Sequence, residues 1–206
     1  MAPRVVVMAR APVPGRCKTR LEPLLGPDGC AALQRELVRH TLACCPPGRT
    51  VVAEADGRLG DLVPATATTF AQEGPHLGAR LAHAVATAGA PVLVIGTDLP
   101  SLRPDDLAHA EAALDGRDVV FGPADDGGWW LCALRAPAPE VFTIDPRLWG
   151  GPAVLDACLA AARAAGRRVG LVGEPRQDLD TPQDAARAVR DPATAPEVAA
   201  VLRAGV

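Results

Sequence analysis

Two short apolar runs, Val5–Ala9 and Pro91–Ile95, carry no polar residue at alternate positions. A strand with one wet face alternates apolar and polar side chains. An uninterrupted run of this length fits a strand covered on both faces instead. The segments between and beyond them change period. Asp28–Ala43 sets Ala32, Leu33, Leu37, Val38 and Leu42 near helical spacing, and Leu77–Ala88 does the same with Leu81, Ala84, Val85 and Ala88. Helices are also predicted over Pro104–Leu114, with proline in the first turn, over Ala153–Ala165, stopped by Gly166, and from Thr181 as N-cap. Further strands are predicted at Thr50–Ala55, Asp118–Phe121, Trp129–Leu134 and Arg168–Val172. Strands alternating with helices imply an α/β fold, a mostly parallel sheet in a three-layer α/β/α arrangement.

The chain has 206 residues, enough for one domain across 1–206, with the Pro/Ala-rich tail after about Asp191 expected to be loosely ordered. Apolar residues are 49%, which excludes disorder, but aromatics are only 3% and tyrosine is absent, so the core must come from Ala, Val and Leu. A net charge of −3 implies no general affinity for nucleic acid. No run approaches the roughly 20 apolar residues of a membrane span, and no secretory leader is evident, so a cytoplasmic location is expected. The 6 cysteines form no C-x-x-C pair and no zinc-spaced cluster, and reduced thiols are expected. Cys17 reads either as a reactive thiol or as a small filler. His40, His83 and His109 fall within helix patterns, and His76 reads as a loop histidine.

In open parallel sheets ligands bind beyond the carboxyl ends of the strands. Four segments sit at such ends. The first holds Arg16, Lys18 and Arg20. If that loop is extended, the alternating cations share one side, suit a diphosphate, and can be replaced without disturbing the fold. A solvated stripe is the competing reading. The loop is not a P-loop, because Pro12 and Cys17 stand where that motif needs glycine. The second segment is Gly96-Thr97-Asp98-Leu99-Pro100. An aspartate directly after a buried strand is costly unless it meets a cation, although a turn aspartate bonding its own backbone is an equal alternative. The third segment runs from Gly122 to Trp130. Its Asp126 suits a general base for an acceptor hydroxyl or a simple turn residue, Gly127 and Gly128 allow close approach of a ligand, and Trp129 and Trp130 point to opposite faces of a strand, one of them free to serve as a platform. The fourth segment holds Asp178 and Asp180. Carboxylates at two strand ends opposite a cationic loop suit Mg²⁺ or Mn²⁺ on substrate phosphates. Before the second segment, Gly78 opens a helix whose N-terminus could face an anion, and Arg80 suits phosphate or a surface ion pair.

The order PVPGRCKTRL, LGARL, GTDLPSL, FGPADDGGWWL and DLDTPQD, from about Val5 to Asp184, resembles a bacterial family of GT-A-type transferases described as radical-SAM/selenodomain-associated and glycosyltransferase-like. That family is related in fold to molybdenum-cofactor guanylyltransferases and phospholactate guanylyltransferases. The resemblance implies a nucleotide-diphospho-sugar transferase fold, with Arg16, Lys18 and Arg20 on nucleotide phosphates, Asp98 as the metal aspartate, and Thr97, Gly78 and Arg80 on the nucleotide side. The chain departs from the glycine-rich first loop of classical nucleotidyltransferases, having ARAPVPGR there, and lacks a D-x-D, so a second metal ligand would come from Asp178 or Asp180. The expected activity is metal-dependent glycosyl transfer from a nucleotide sugar to a small-molecule acceptor, with Lys18, Asp98 and Asp126 in catalysis and Gly127, Gly128 and Trp129 on the acceptor side. Nucleotidyl transfer to a phosphorylated acceptor with release of pyrophosphate is the alternative, and a non-catalytic nucleotide-binding module is a third reading.

Overall fold

The computed structural model describes residues 1–205. One sheet of 7 strands has the order β3-β2-β1-β4-β6-β5-β7. Its strands are β1 (Arg4–Arg10), β2 (Thr50–Ala55), β3 (Thr68–Ala71), β4 (Val92–Ile95), β5 (Val119–Pro123), β6 (Trp129–Leu134) and β7 (Val169–Leu171). All run the same way except β6, which is antiparallel to both β4 and β5. The helices are α1 (Glu22–Cys44), α2 (Leu77–Ala88), α3 (Pro104–Ala113), α4 (Val154–Ala164), α5 (Pro182–Ala188) and α6 (Pro196–Ala204).

The uninterrupted apolar runs are the two central strands, as expected. Val5, Val7 and Ala9 of β1, with Leu93 and Ile95 of β4, pack against Val38 and Leu42 of α1 and Leu107 and Ala110 of α3. Val6, Val92 and Val94 face the other way, onto Leu81, Ala84 and Val85 of α2 and Val154 and Cys158 of α4. The period-2 alternation of strand side chains therefore buries both sets, and the three-layer arrangement follows.

Three sequence expectations change. The α1 helix starts earlier than Asp28, at Glu22, but breaks at Gly26, whose φ of 67° lies outside the helical region, and restarts with Pro27 in its first turn. Strand β3 is exposed along most of its length and carries little apolar signal, so its pattern was not visible. The tail after Asp191 is ordered. Helix α6 buries Val198 and Leu202 against Leu33 and Leu37 of α1 and Leu179, because α1 is apolar on a second face. All 6 cysteines are buried free thiols, and burial pushes the Cys17 thiol upward, so Cys17 is the filler. No described helix is long and apolar enough to cross a membrane.

Leu202→Ala is expected to destabilise the protein by about 2–5 kcal/mol, a core-cavity value. Urea denaturation measures it, and a change near zero would return the tail to a loosely held segment.

Candidate active site

The carboxyl ends of β1 and β4 and the amino end of the antiparallel β6 open into a cleft of about 730 Å³. The Lys18 ammonium anchors its floor. The backbone of Lys18 is left-handed, with φ 49° and ψ 35°, which turns its side chain inward after β1. Its Nζ donates to the Leu179 carbonyl at 2.6 Å, to Asp180 Oδ1 at 2.9 Å and to Asp98 Oδ1. An ammonium has only three N–H donors, so Lys18 has none left over. Burial acts to lower its pKa, but Asp98 and Asp180 outweigh burial and hold the ammonium charged.

Two further contacts assemble the acidic side. The Leu179 N–H donates to the Asp98 carbonyl at 2.8 Å, drawing the segment well beyond β7 back onto the β4 loop. The Arg176 N–H donates to the Pro123 carbonyl, and its guanidinium binds Asp106 and Ser101. Asp98, Asp126, Asp178 and Asp180 all line the cleft. Burial, together with the charges of Asp98, Asp126 and Asp180, pushes Asp178 up to about 8. Burial works the other way on Asp180, but Lys18 wins and holds its carboxyl below the usual range.

The cationic side is built differently from the sequence expectation. The first loop is not extended. It turns at 14–16 and enters a 3-10 turn at Thr19–Leu21, so Arg16, Lys18 and Arg20 do not share a side. Arg16 is exposed and does not line the cleft, whereas Arg20 does. Arg80 also lines it, bonding the Gly74 carbonyl through Nε at 3.1 Å and pairing with no described carboxylate. Arg10, at the end of β1, lines the cleft and pairs with Asp56 at 2.8 Å. Buried Gln34 braces this side, its Nε2 donating to the Arg10 carbonyl and to Thr97 Oγ1, each at 3.2 Å. A second hollow, of about 490 Å³, shares Ala55, Gln72 and Arg80 with the cleft and extends it beyond β2 and β3.

The third wall joins the turn between β5 and β6 to the segment before α4. Asp126 is a turn residue, its Oδ1 accepting from the Gly128 N–H at 2.8 Å, yet it also faces the cleft. Trp130 is buried with its ring over Gly122, and Trp129 lines the cleft, so the two tryptophans do point oppositely. Gly78 and Gly127 are packing residues rather than ligand contacts. A Cβ at Gly78 would lie 2.5 Å from Trp149 Nε1 and from the Phe142 carbonyl, and one at Gly127 would overlap the Pro152 carbonyl. His76 caps α2, its Nδ1 accepting from the Ala79 N–H at 3.3 Å. Sequence reasoning missed Arg10, Gln34, Trp149, Gly150 and Gly151. Arg10 was legible as the last residue of the first strand. Trp149 carried no local signal, because only packing against α2 brings it to the cleft.

Residues 30–150 match the family model described as an uncharacterized protein conserved in bacteria, DUF2064. The chain belongs to this family. It is 32% identical over 217 residues to a phosphoenolpyruvate guanylyltransferase of Streptomyces coelicolor, covering 98% of this chain and 97% of the relative. A phosphoenolpyruvate guanylyltransferase of Rhodococcus opacus is 33% identical, covering 89% and 84%. A crystal structure from Desulfovibrio desulfuricans G20, described as a nucleotide-diphospho-sugar transferase, superposes with a TM-score of 0.83 at 26% identity over 98% of this chain and 94% of that one. A Leptospira borgpetersenii cytidylyltransferase shares the fold, with a TM-score of 0.56 at 11% identity over 92% and 86%. The DUF2064 protein described here is thus a transferase with a nucleotide-diphospho-sugar transferase fold. The relatives carry the transferase part of the sequence resemblance and not its radical-SAM or selenodomain association.

Two outcomes follow from this charge arrangement. A raised folded-state pKa contributes stability below the unfolded value of about 3.9, and that contribution is lost as pH rises through the folded value. Without divalent cations, Asp178→Asn should therefore gain stability relative to the parent between about pH 4 and about pH 8. Urea midpoints across that range decide it, and parallel curves would show Asp178 ionising normally. Lys18→Ala should lower stability by about 1–3 kcal/mol, because it strips charged hydrogen bonds from half-exposed carboxylates. An unchanged melting temperature would mean that the three acceptors find water instead.

Proposed function

We propose that this protein is a metal-dependent nucleotidyltransferase acting on a phosphorylated small-molecule acceptor, with guanosine triphosphate as the nucleotide. The observation that carries the reading is the meeting of both charges in one cleft: Arg10, Arg20 and Arg80 line it together with the carboxylates of Asp98, Asp126, Asp178 and Asp180. A triphosphate needs the first, and a divalent cation on its α-phosphate needs the second. The guanylyltransferase names of the relatives favour this reading over glycosyl transfer and over a non-catalytic module, and make phosphoenolpyruvate the first acceptor to test.

The carboxylates suit Mg²⁺ or Mn²⁺. Asp98, Asp126, Asp178 and Asp180 face one ammonium, and burial together with this excess of negative charge pushes Asp178 upward. Lys18 engages only Oδ1 of Asp98 and of Asp180, leaving their Oδ2 atoms for a cation. No three Asp, Glu, His or Cys groups among the described residues close a metal site alone, so phosphate oxygens would complete the shell. Asp98 and Asp180 would hold the ion, with Asp178 beside them. The bound ion would neutralise charge on the α-phosphate and orient it.

The chain's own residues would do the rest. Arg20 and Arg80 would take the β- and γ-phosphates and offset the charge that grows on the leaving pyrophosphate. The nucleoside would extend past Ala55 and Gln72 into the second hollow. Lys18 would act as a positioning residue, fixing Asp98 and Asp180 rather than touching phosphate. An oxygen of the acceptor phosphate attacks the α-phosphorus, the bond from that phosphorus to the bridging oxygen of the β-phosphate breaks, and pyrophosphate leaves with the electron pair. A phosphate is largely deprotonated near neutral pH, its second pKa being about 6, so no general base is required of Asp126.

The decisive assay measures pyrophosphate release from each nucleoside triphosphate with phosphorylated acceptors and Mg²⁺, beside release of nucleoside diphosphate from nucleotide sugars. Pyrophosphate from guanosine triphosphate is expected, and nucleoside diphosphate from a sugar donor alone would restore glycosyl transfer. Asp98→Asn should weaken metal-dependent nucleotide binding by about tenfold or more with the fold intact, and Arg80→Ala should do so by about ten- to a hundred-fold, the loss of one charged bond to phosphate. Calorimetric affinities within about two-fold of the parent would remove either residue from the phosphate site.

A further inference from the structure

Asp98, Asp126 and Asp178 stand on segments far apart in the chain, and one residue outside the cleft lining joins all three segments from behind. That residue is Arg176. Its main chain continues the sheet past the end of β7. The Arg176 N–H donates to the Pro123 carbonyl at 3.0 Å, and the Asp125 N–H donates to the Arg176 carbonyl at 3.0 Å. These bonds, with the parallel bridge between Ala124 and Arg176, fix the start of the turn that carries Asp126. Asp178 follows almost at once in the chain. No described hydrogen bond holds its carboxyl, so its place depends on the main chain around it, tied by Arg176 before it and by the Leu179 N–H after it.

The Arg176 side chain reaches the third segment. Its Nη2 donates to the Ser101 carbonyl at 2.7 Å and to Ser101 Oγ at 3.0 Å, in the loop that begins with Asp98. Its Nη1 donates to Asp106 Oδ1 at 3.0 Å. Asp106 lies in the first turn of α3, and its Oδ2 accepts from the Arg103 N–H at 2.8 Å, so the far end of the same loop is held as well. The guanidinium also lies 5.9 Å from the centre of the Trp130 ring, which keeps the fork in place. Lys18 therefore joins the Asp98 loop to Asp180 from the cleft side, and Arg176 joins that loop to the Asp178 segment from the back. A Mg²⁺ ion demands oxygens in near-octahedral geometry over a narrow range of distances. A shift of one carboxylate by a fraction of an ångström then costs affinity even where the fold is intact.

We propose that Arg176 is a positioning residue for the divalent cation: its forked guanidinium and its main chain set the spacing of Asp98, Asp126 and Asp178 while touching neither cation nor nucleotide. The proposal rests on the metal-dependent reading above and goes beyond it. A lysine cannot take over this role, because a single ammonium replaces two arms that reach Ser101 and Asp106 separately.

A non-hydrolysable guanosine triphosphate analogue is titrated calorimetrically into the parent, Arg176→Ala, Arg176→Lys and Leu42→Ala, once with Mn²⁺ and once with a chelator. Leu42 is buried near the C-terminus of α1 and does not line the cleft, so its truncation reports general destabilisation. Both Arg176 variants should lose about 10- to 100-fold in affinity for the analogue with Mn²⁺, the usual effect of removing a group that orients a metal ligand. Their metal-free affinity should stay within about two-fold of the parent. Leu42→Ala should keep both parental affinities. If Arg176→Ala does not fold, Arg176→Lys decides. Parental affinity with Mn²⁺ in either Arg176 variant overturns the proposal, as do equal losses with and without Mn²⁺, or a metal-selective loss in Leu42→Ala. In each of those cases the metal-dependent reading stands. A parent whose affinity does not respond to Mn²⁺ overturns that reading itself, and the proposal with it.

Discussion

The arrangement of this cleft depends on one buried ammonium. Lys18 Nζ gathers the Asp98 loop after β4 and the Leu179–Asp180 segment before α5 around itself. These pieces come from widely separated parts of the chain and carry like charge. Without a cation between them, Asp98 and Asp180 would repel, and the Leu179 carbonyl would lose a strong donor. The left-handed backbone at Lys18 is the local cost of turning that side chain inward. The Leu179 N–H bond to the Asp98 carbonyl closes the same junction from the backbone side, so the joint is held by both charge and main chain.

From this joint the division of labour in the cleft follows. Lys18 neutralises part of the acidic centre but not all of it, and burial together with three neighbouring carboxylates pushes Asp178 up to about 8. The centre is therefore receptive to a divalent cation brought with phosphate. Arg80 pairs with no described carboxylate and reaches the hollow beyond β2 and β3, where a polyphosphate can use it, whereas Arg10 and Arg20 add their charge to that of Lys18 at Asp180. The other side is aromatic and glycine-rich, and its shape depends on Gly78 and Gly127 having no side chain. Residues that read from sequence as ligand contacts thus act one layer further out, setting the positions of residues that do face the cleft.

Most strands and helices and the location of the cleft were legible in the sequence because they follow from local periodicity and from the rule that loops at strand ends carry the site, whereas the strand order and the antiparallel β6 were not. Asp98, Asp180, Arg20, Arg80, Trp129 and Asp126 were reachable by that route. Arg16 was not separable from its neighbours, since the loop's turns, not its charges, decide which side chain faces inward. Helix α6 was missed because its apolar residues are balanced by small and charged ones, and only the second apolar face of α1 gives it a partner.

The sequence by itself determined the layered α/β fold, since uninterrupted apolar strands must be covered on both faces and amphipathic segments of helical period are there to cover them. It also determined which residue types reach the strand ends. Only the tertiary structure decided which of them meet. Lys18 rather than an arginine joins the carboxylates, Trp149 completes the wall opposite, and Gly78 and Gly127 pack rather than bind. Each depends on contacts between segments far apart in the chain, where direction is set by packing and close approach, and no local pattern encodes those.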